Sequence, residues 1–135
     1  MCFAKSKIKT NSKFKKGQIR FNRKHGHYGH IKAIFATKNG IIVTSVFFSS
    51  KPKDGQRNNV PLNKKLIING VENSYFFTRV RSYPAVTYSK KYIQNGLSKV
   101  DIEKSDTIYE LYLERKKTGT ALSGRNTDLI QHRTK

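Results

Sequence analysis

Two Asn-Gly steps, each set between runs of β-branched and aromatic residues, constrain this chain more than any other feature. Residues 31–37 and 41–48 flank Lys38-Asn39-Gly40, and residues 65–68 and 74–80 flank Asn69-Gly70. Asn-Gly suits a two-residue hairpin turn because both positions need φ > 0. Placing Asn39-Gly40 at the tip sets Lys32 opposite Phe47 and His30 opposite Ser49. Cross-strand partners share a face. His30, Lys32, Ser45 and Ser49 are then expected on one side, with Ile31, Ala33, Phe35, Thr44, Val46 and Phe48 on the other. A one-residue slip would break this grouping. Residues 71–73 offer a way to lengthen the second turn.

Further short strands are expected at residues 18–21 and 84–88, with a polar loop over 50–59. Ser98-Lys99-Val100-Asp101 has the form of a helix start, and Asp101, Glu103 and Asp106 fall in its first turns, where the helix dipole favours acids. Ile102, Tyr109 and Leu113, with Ile108 and Tyr112, make an apolar stripe. Arg115, Lys116, Lys117 and Gly119 close the helix. The expected fold is α+β, mainly β: a small SH3-like antiparallel barrel of five to six strands with a C-terminal amphipathic helix. Residues 1–16 read as a mobile basic arm, 17–117 as one domain and 118–135 as a polar C-terminal segment.

Charge then narrows the partners. Residues 1–53 contain no Asp or Glu, and the 135-residue chain carries 28 Lys+Arg against 8 Asp+Glu, a formal net charge of +20. Such self-repulsion implies a polyanionic partner, and nucleic acid is the favoured one. The most basic stretch lacks the apolar face of a membrane-surface helix. No membrane is expected as partner. One cysteine, Cys2, and no apolar leader fit a cytoplasmic location. A site built from the acid-free half has Lys, Arg, His, Ser and Thr to work with, and no carboxylate for acid–base work or for Mg²⁺.

His25-Gly26-His27-Tyr28-Gly29-His30 forms a Gly/His loop. Three imidazoles could ligate Zn²⁺, but the spacing fits no common zinc motif, and no Cys, Asp or Glu lies nearby. Histidine near neutral pH can instead serve as acid or base. Ser49, Ser50, Lys51 and Lys53 follow a strand directly, and their hydroxyl and ammonium groups suit a phosphate. Tyr75, Phe76, Phe77, Tyr83, Arg57, Arg79 and Arg81 make an aromatic–basic region. Most of those rings belong in a core, and one or two left exposed would stack on bases. Alternation groups Tyr75, Phe77 and Arg79 on one face against Phe76 and Val80.

The order of these parts resembles the MazF/PemK/ToxN superfamily of toxin endoribonucleases. Lys32-Ala33-Ile34-Phe35, then Phe47-Phe48-Ser49-Ser50-Lys51-Pro52-Lys53, is similar to the ToxN-type branch, and Leu97-Ser98-Lys99-Val100-Asp101-Ile102 is similar to the start of the last helix in MazF-like proteins. The resemblance runs over residues 17–117. It departs where Gly29-His30-Ile31-Lys32 replaces Arg-Pro, in the triple-His loop, and in the order Ser50-Lys51-Pro52-Lys53, which leaves either Lys51 or Lys53 to match the family lysine. It implies cleavage of single-stranded RNA without metal or cofactor, to 2′,3′-cyclic phosphate and 5′-OH ends, in a toxin–antitoxin system. The antitoxin would be an RNA repeat or an acidic protein, and a homo-oligomer or toxin–RNA assembly is compatible with it. On this reading Lys32, Ser49, Ser50, Lys53 and His30 are catalytic. Lys24, His25, His27, Lys51, Arg57, Arg79 and Arg81 bind RNA, and no residue holds a metal. The alternative is a non-catalytic RNA- or DNA-binding module of phage, plasmid or ribosome-associated type, favoured by the basic arm.

Overall fold

The computed structural model describes residues 8–10, 13–94 and 96–118. Over these residues it is mainly β with one α-helix. Nine strands are formed among them: β1 (Ile8–Thr10), β2 (Ile19–Asn22), β3 (His27–Thr37), β4 (Gly40–Ser49), β5 (Lys53–Asp54), β6 (Arg57–Asn58), β7 (Val60–Ile68), β8 (Val71–Pro84) and β9 (Lys91–Ile93). The helix α1 spans Lys99–Thr118. Seven strands make one antiparallel sheet in the order β1-β9-β2-β3-β4-β8-β7, and β5 and β6 form a separate small hairpin. The main sheet is larger than the expected five to six strands. Among the described residues no ladder joins β7 to the opposite edge. The sheet curls instead, so that Leu66 and Ile68 of β7 share a core with Ile19 of β2 and Ile93 of β9.

That main core lies between the sheet and α1, and Val46, Phe48, Phe76, Val80 and Ile108 complete it. A fully buried Phe contributes roughly 2–3 kcal/mol by leaving water, so Phe48 and Phe76 anchor this layer. A second, smaller core of Ile31, Val43, Phe47 and Tyr88 lies on the other face of the sheet. Among the described residues no α-helix covers this outer face. Phe14, Phe77 and Tyr83 cover it in part.

The two hairpins differ in their turns. Asn69 (φ 50°) and Gly70 (φ 78°) are the two central residues between the paired Ile68 and Val71, as expected, with no lengthening. The first hairpin instead pairs Thr37 with Gly40, so Lys38-Asn39 forms the tip. The Thr37 hydroxyl accepts from the Asn39 N–H (3.2 Å) and donates to the Gly40 carbonyl (2.6 Å), pinning that turn one residue early. Further along, Ile31 pairs with Ser45 and Ala33 with Thr44, so Lys32 is the extra residue of a β-bulge. Below the bulge His30 lies opposite Val46, not Ser49. His30 and Lys32 therefore face α1, whereas Ser45 and Ser49 alternate with Val46 and Phe48 onto the outer face. The expected grouping of these four is broken by the one-residue shift.

Other expectations are corrected by long-range contacts. Residues 85–87 form a 3₁₀ turn where a strand was expected. The presumed arm contributes β1, which pairs with β9, and Phe14 packs edge-on against Tyr88 at 5.8 Å. Buried Arg20 holds this segment. Its guanidinium donates to Gln18 Oε1 (2.9 Å) and to the carbonyls of Lys13 (2.9 Å), Ser89 (2.9 Å) and Lys90 (3.2 Å). Residues 1–7 and 119–135, with the remaining arm and tail expectations, Cys2 and Gly119, lie outside the described residues.

The helix starts as its sequence predicts. The Asp101 N–H donates to Ser98 Oγ (3.2 Å), which donates back to Asp101 Oδ2 (2.9 Å). The same fully buried carboxylate accepts the backbone N–H groups of Asn63 (2.6 Å) and Lys64 (3.0 Å), docking α1 on β7. The buried stripe consequently runs through Asp101, Ser105 and Ile108, while Ile102 and Leu113 of the predicted stripe are exposed.

Candidate functional site

The expected Gly/His loop is strand from His27 onward, and its histidines are distributed over both faces of the sheet. His30 points under α1, where its Nδ1 lies 2.7 Å from the Ser105 hydroxyl. It is only 5 % exposed and Ser105 is wholly buried. Burial, then the Lys32 charge, pushes the imidazole down to about 3 against an opposing pull from Asp106, so the ring stays neutral. His30 thus ties β3 to α1 through Ser105. Lys32, beside it, makes an ion pair with Asp106 of α1. The acid-free half of the sequence thus acquires a carboxylate from the other half.

His25 and His27 lie on the outer face, where the local sequence builds a seat for them. A Cβ at Gly29 would fall 2.8 Å from the Phe47 ring and 2.9 Å from Ser45 Cβ. Only glycine lets Phe47 lie across β3 there. His25 stacks flat on Phe47, with centroids 4.0 Å apart and planes at 10°. Phe77 (5.6 Å) and Tyr83 (5.9 Å) close around its edges, and Phe77 also meets His27 at 5.0 Å. The His25 backbone N–H donates to Asn22 Oδ1 (2.7 Å), fixing the loop.

The two rings are hydrogen-bonded to each other. Their Nδ1 atoms are 3.1 Å apart, and His27 Nδ1 is also 3.2 Å from the His25 carbonyl oxygen. A carbonyl only accepts, so His27 carries the Nδ1 proton and His25 Nδ1 accepts it. With both rings uncharged the tautomers are complementary: His27 then presents a bare Nε2, and His25 an Nε2–H. Burial, then the His27 and Arg81 charges, pushes His25 down to about 4 against an opposing pull from Asp54, keeping it neutral.

The other candidate residues fall around this pair. Ser49 is two residues beyond Phe47 on the same face of β4 and opposite Tyr75 of β8. Its buried hydroxyl shapes the following loop, accepting from the Lys51 N–H at 3.1 Å. Ser50, Lys51 and Lys53 are exposed there, and Lys53 pairs with Asn58 in the β5–β6 hairpin. Arg81 is exposed on β8 opposite Ser45. Lys24 is exposed beside His25. Phe77 joins the outer face and Phe76 and Val80 the main core, as alternation predicts. Arg57 and Arg79 instead come near Arg115 of α1, whose guanidinium burial, then those two charges, lowers.

The structure therefore brings His25, His27 and Arg81 together, places Ser49 on the same side, leaves Ser50 exposed in the bend after β4, and removes His30 and Lys32 to the opposite face. The three histidines do not converge, and no group of three His, Cys, Asp or Glu among the described residues stands ready to hold a metal ion. No helix among them is long and apolar enough to cross a membrane. Comparisons with protein-family models, with curated proteins and with solved structures return no match.

Proposed function

We propose that the chain is a metal-independent endoribonuclease that works on single-stranded RNA at the outer face of its sheet. The observation that carries this reading is the hydrogen-bonded His25–His27 pair, seated on Phe47 and near the exposed Arg81. Cleavage without metal needs a proton acceptor at the RNA 2′-OH, donors at the phosphate oxygens and a proton for the leaving oxygen. His27 Nε2 takes the 2′-OH proton as the 2′-oxygen bonds to phosphorus. His25 Nε2–H and Arg81 donate to the phosphorane oxygens. The P–O5′ bond breaks, and His27 returns the proton to O5′. The products are a 2′,3′-cyclic phosphate and a 5′-OH. Tyr75 and Phe77 offer ring faces to neighbouring bases, and Lys24, Ser50, Lys51 and Lys53 rim the path of the backbone. The formal charge of +20 supplies the long-range attraction.

This keeps the activity implied by the resemblance and moves its chemistry from Lys32 and His30 to His25 and His27. In that setting the protein is the toxin of a toxin–antitoxin pair acting in the cytoplasm, held in check by an RNA repeat or an acidic protein. A second reading, a non-catalytic RNA-binding module, is favoured by the ion pair that occupies Lys32 and by the tied Ser49 hydroxyl. End-labelled single-stranded RNA incubated with the protein in EDTA separates the two. Cyclic-phosphate ends that vanish in His27→Ala are expected. Salt-sensitive binding with intact RNA would establish the module instead.

A further inference from the structure

The face under α1 holds a cleft that the outer-face chemistry does not use. It opens between β3 and the helix with a volume of about 390 Å³, within the range of small-molecule sites. Lys16, Lys32 and Asp106 supply its charges, and Ile19, Ile102 and Tyr109 its apolar walls. The Lys32 side chain is 9 % exposed, whereas that of its partner Asp106 is 52 % exposed. The cation is fixed and covered; the anion is held from the solvent side and can be exchanged. Ile102, exposed although it lies on the predicted apolar stripe, turns toward this cleft, as does the Tyr109 ring.

We propose that this cleft binds one nucleotide unit, with its phosphate replacing Asp106 on Lys32 and facing Lys16, and its base lying against Ile102 and Tyr109. Asp106 then acts as a resident carboxylate that fills the phosphate position until a ligand competes for it. A dianionic phosphate offers more acceptor oxygens and more charge than one carboxylate, so the exchange is favourable once the base is also held. His30 and Ser105 keep β3 and α1 at the spacing that fits the ligand. The site is separate from the His25–His27 pair and does not depend on any cleavage there.

The test is calorimetric titration of the full chain with adenosine 5′-monophosphate, with adenosine and inorganic phosphate as partial ligands. Each partial ligand should bind more weakly than the monophosphate. Asp106→Asn, which keeps the shape and removes the competing charge, should tighten monophosphate binding about fivefold. Such a gain cannot arise from misfolding. Lys32→Gln should weaken it more than about tenfold, and His27→Ala should leave it unchanged. A 5′-phosphorylated trinucleotide that binds better than the monophosphate, with the same dependence on Asp106, assigns the cleft to an RNA end; weaker binding assigns it to a free nucleotide. No detectable monophosphate binding, affinity unmoved by Asp106→Asn, or affinity lost in His27→Ala would overturn the proposal.

Discussion

The outer face and the helix face of the sheet receive histidines from the same six-residue stretch and make different things of them. On both faces a ring is held neutral by burial and tied through Nδ1: His25 to His27, and His30 to Ser105. Under α1 the partner hydroxyl is buried and the ring is nearly so, and the pair fastens two elements. On the outer face aromatic rings hold His25 from below and from the sides, while His27 remains half-exposed. The comparison teaches that cover decides the role here, more than residue type or hydrogen bonding does.

The sharpest way to break that comparison is to remove one imidazole from each face. His27→Ala should lower RNA cleavage about a thousandfold, within the usual contribution of a general base, with little loss of stability. His30→Ala should do the reverse, unfastening α1 from β3 while the folded fraction still cleaves. Turnover rates set beside denaturant midpoints for both variants provide the check. Equal activity losses would abolish the distinction between the faces.

Acid titration probes the same contrast. His25 and His30 have folded values of about 4 and about 3, below the ordinary 6.5. A depressed histidine binds fewer protons folded than unfolded, so its stabilising effect is complete above about pH 6.5 and declines as the pH falls toward the folded value. Each ring contributes at most about 1.4 kcal/mol per pH unit over that window. Unfolding free energy should therefore fall steadily between about pH 6 and 4, and His30→Gln should remove a good part of the slope. An unchanged slope in that variant would show that His30 does not remain neutral in the folded state.

How much of this was legible can be judged from particular residues. The hairpins were, because Asn-Gly and β-branched runs are local signals, and so was the helix start at Ser98 and Asp101. The register of the first hairpin was not. The Thr37 hydroxyl moves the turn, and the bulge at Lys32 flips the residues below it, neither of which leaves a mark on hydrophobic alternation. The stripe of α1 was legible at Ile108, Tyr109 and Tyr112, which meet the main core. It was not legible at its start, where Asp101 and Ser105 take the buried positions by finding partners at Asn63, Lys64 and His30, far away in sequence. Arg20 was missed for the same reason, since its carbonyl partners include Ser89 and Lys90. His25, His27 and Arg81 were visible as candidates for RNA contact. Their seat on Phe47 was not, because it depends on what one glycine leaves open across the strand.

That glycine gives a way to disturb the outer face alone. Gly29→Ala places a methyl group against the Phe47 ring and Ser45, both buried. Overpacking of this kind costs about 2 kcal/mol. The Phe47 ring must tilt, and His25 loses its stacking plane. Cleavage should fall well beyond the loss of folded protein, while monophosphate binding in the cleft under α1 persists. Phe47→Leu, which removes the ring without the clash, should reproduce the activity loss. If Gly29→Ala merely destabilises the chain, the seat has no functional role.

The mildest change concerns charge. Arg81 is exposed, lies opposite Ser45, and is close enough to His25 to depress it. An exposed guanidinium of this kind contributes through a phosphate contact rather than through the fold. Arg81→Ala should weaken single-stranded RNA binding roughly fivefold at moderate salt and reduce the slope of log affinity against log salt by about one. Removing Lys116, exposed near the end of α1 and 5.3 Å over the Tyr112 ring, should leave both nearly unchanged. With 28 cationic residues in the chain, generic charge alone would make the two substitutions equivalent. A larger slope change for Arg81 locates the RNA path on the outer face; equal changes would mean that the strand is held by net charge and by neither face in particular.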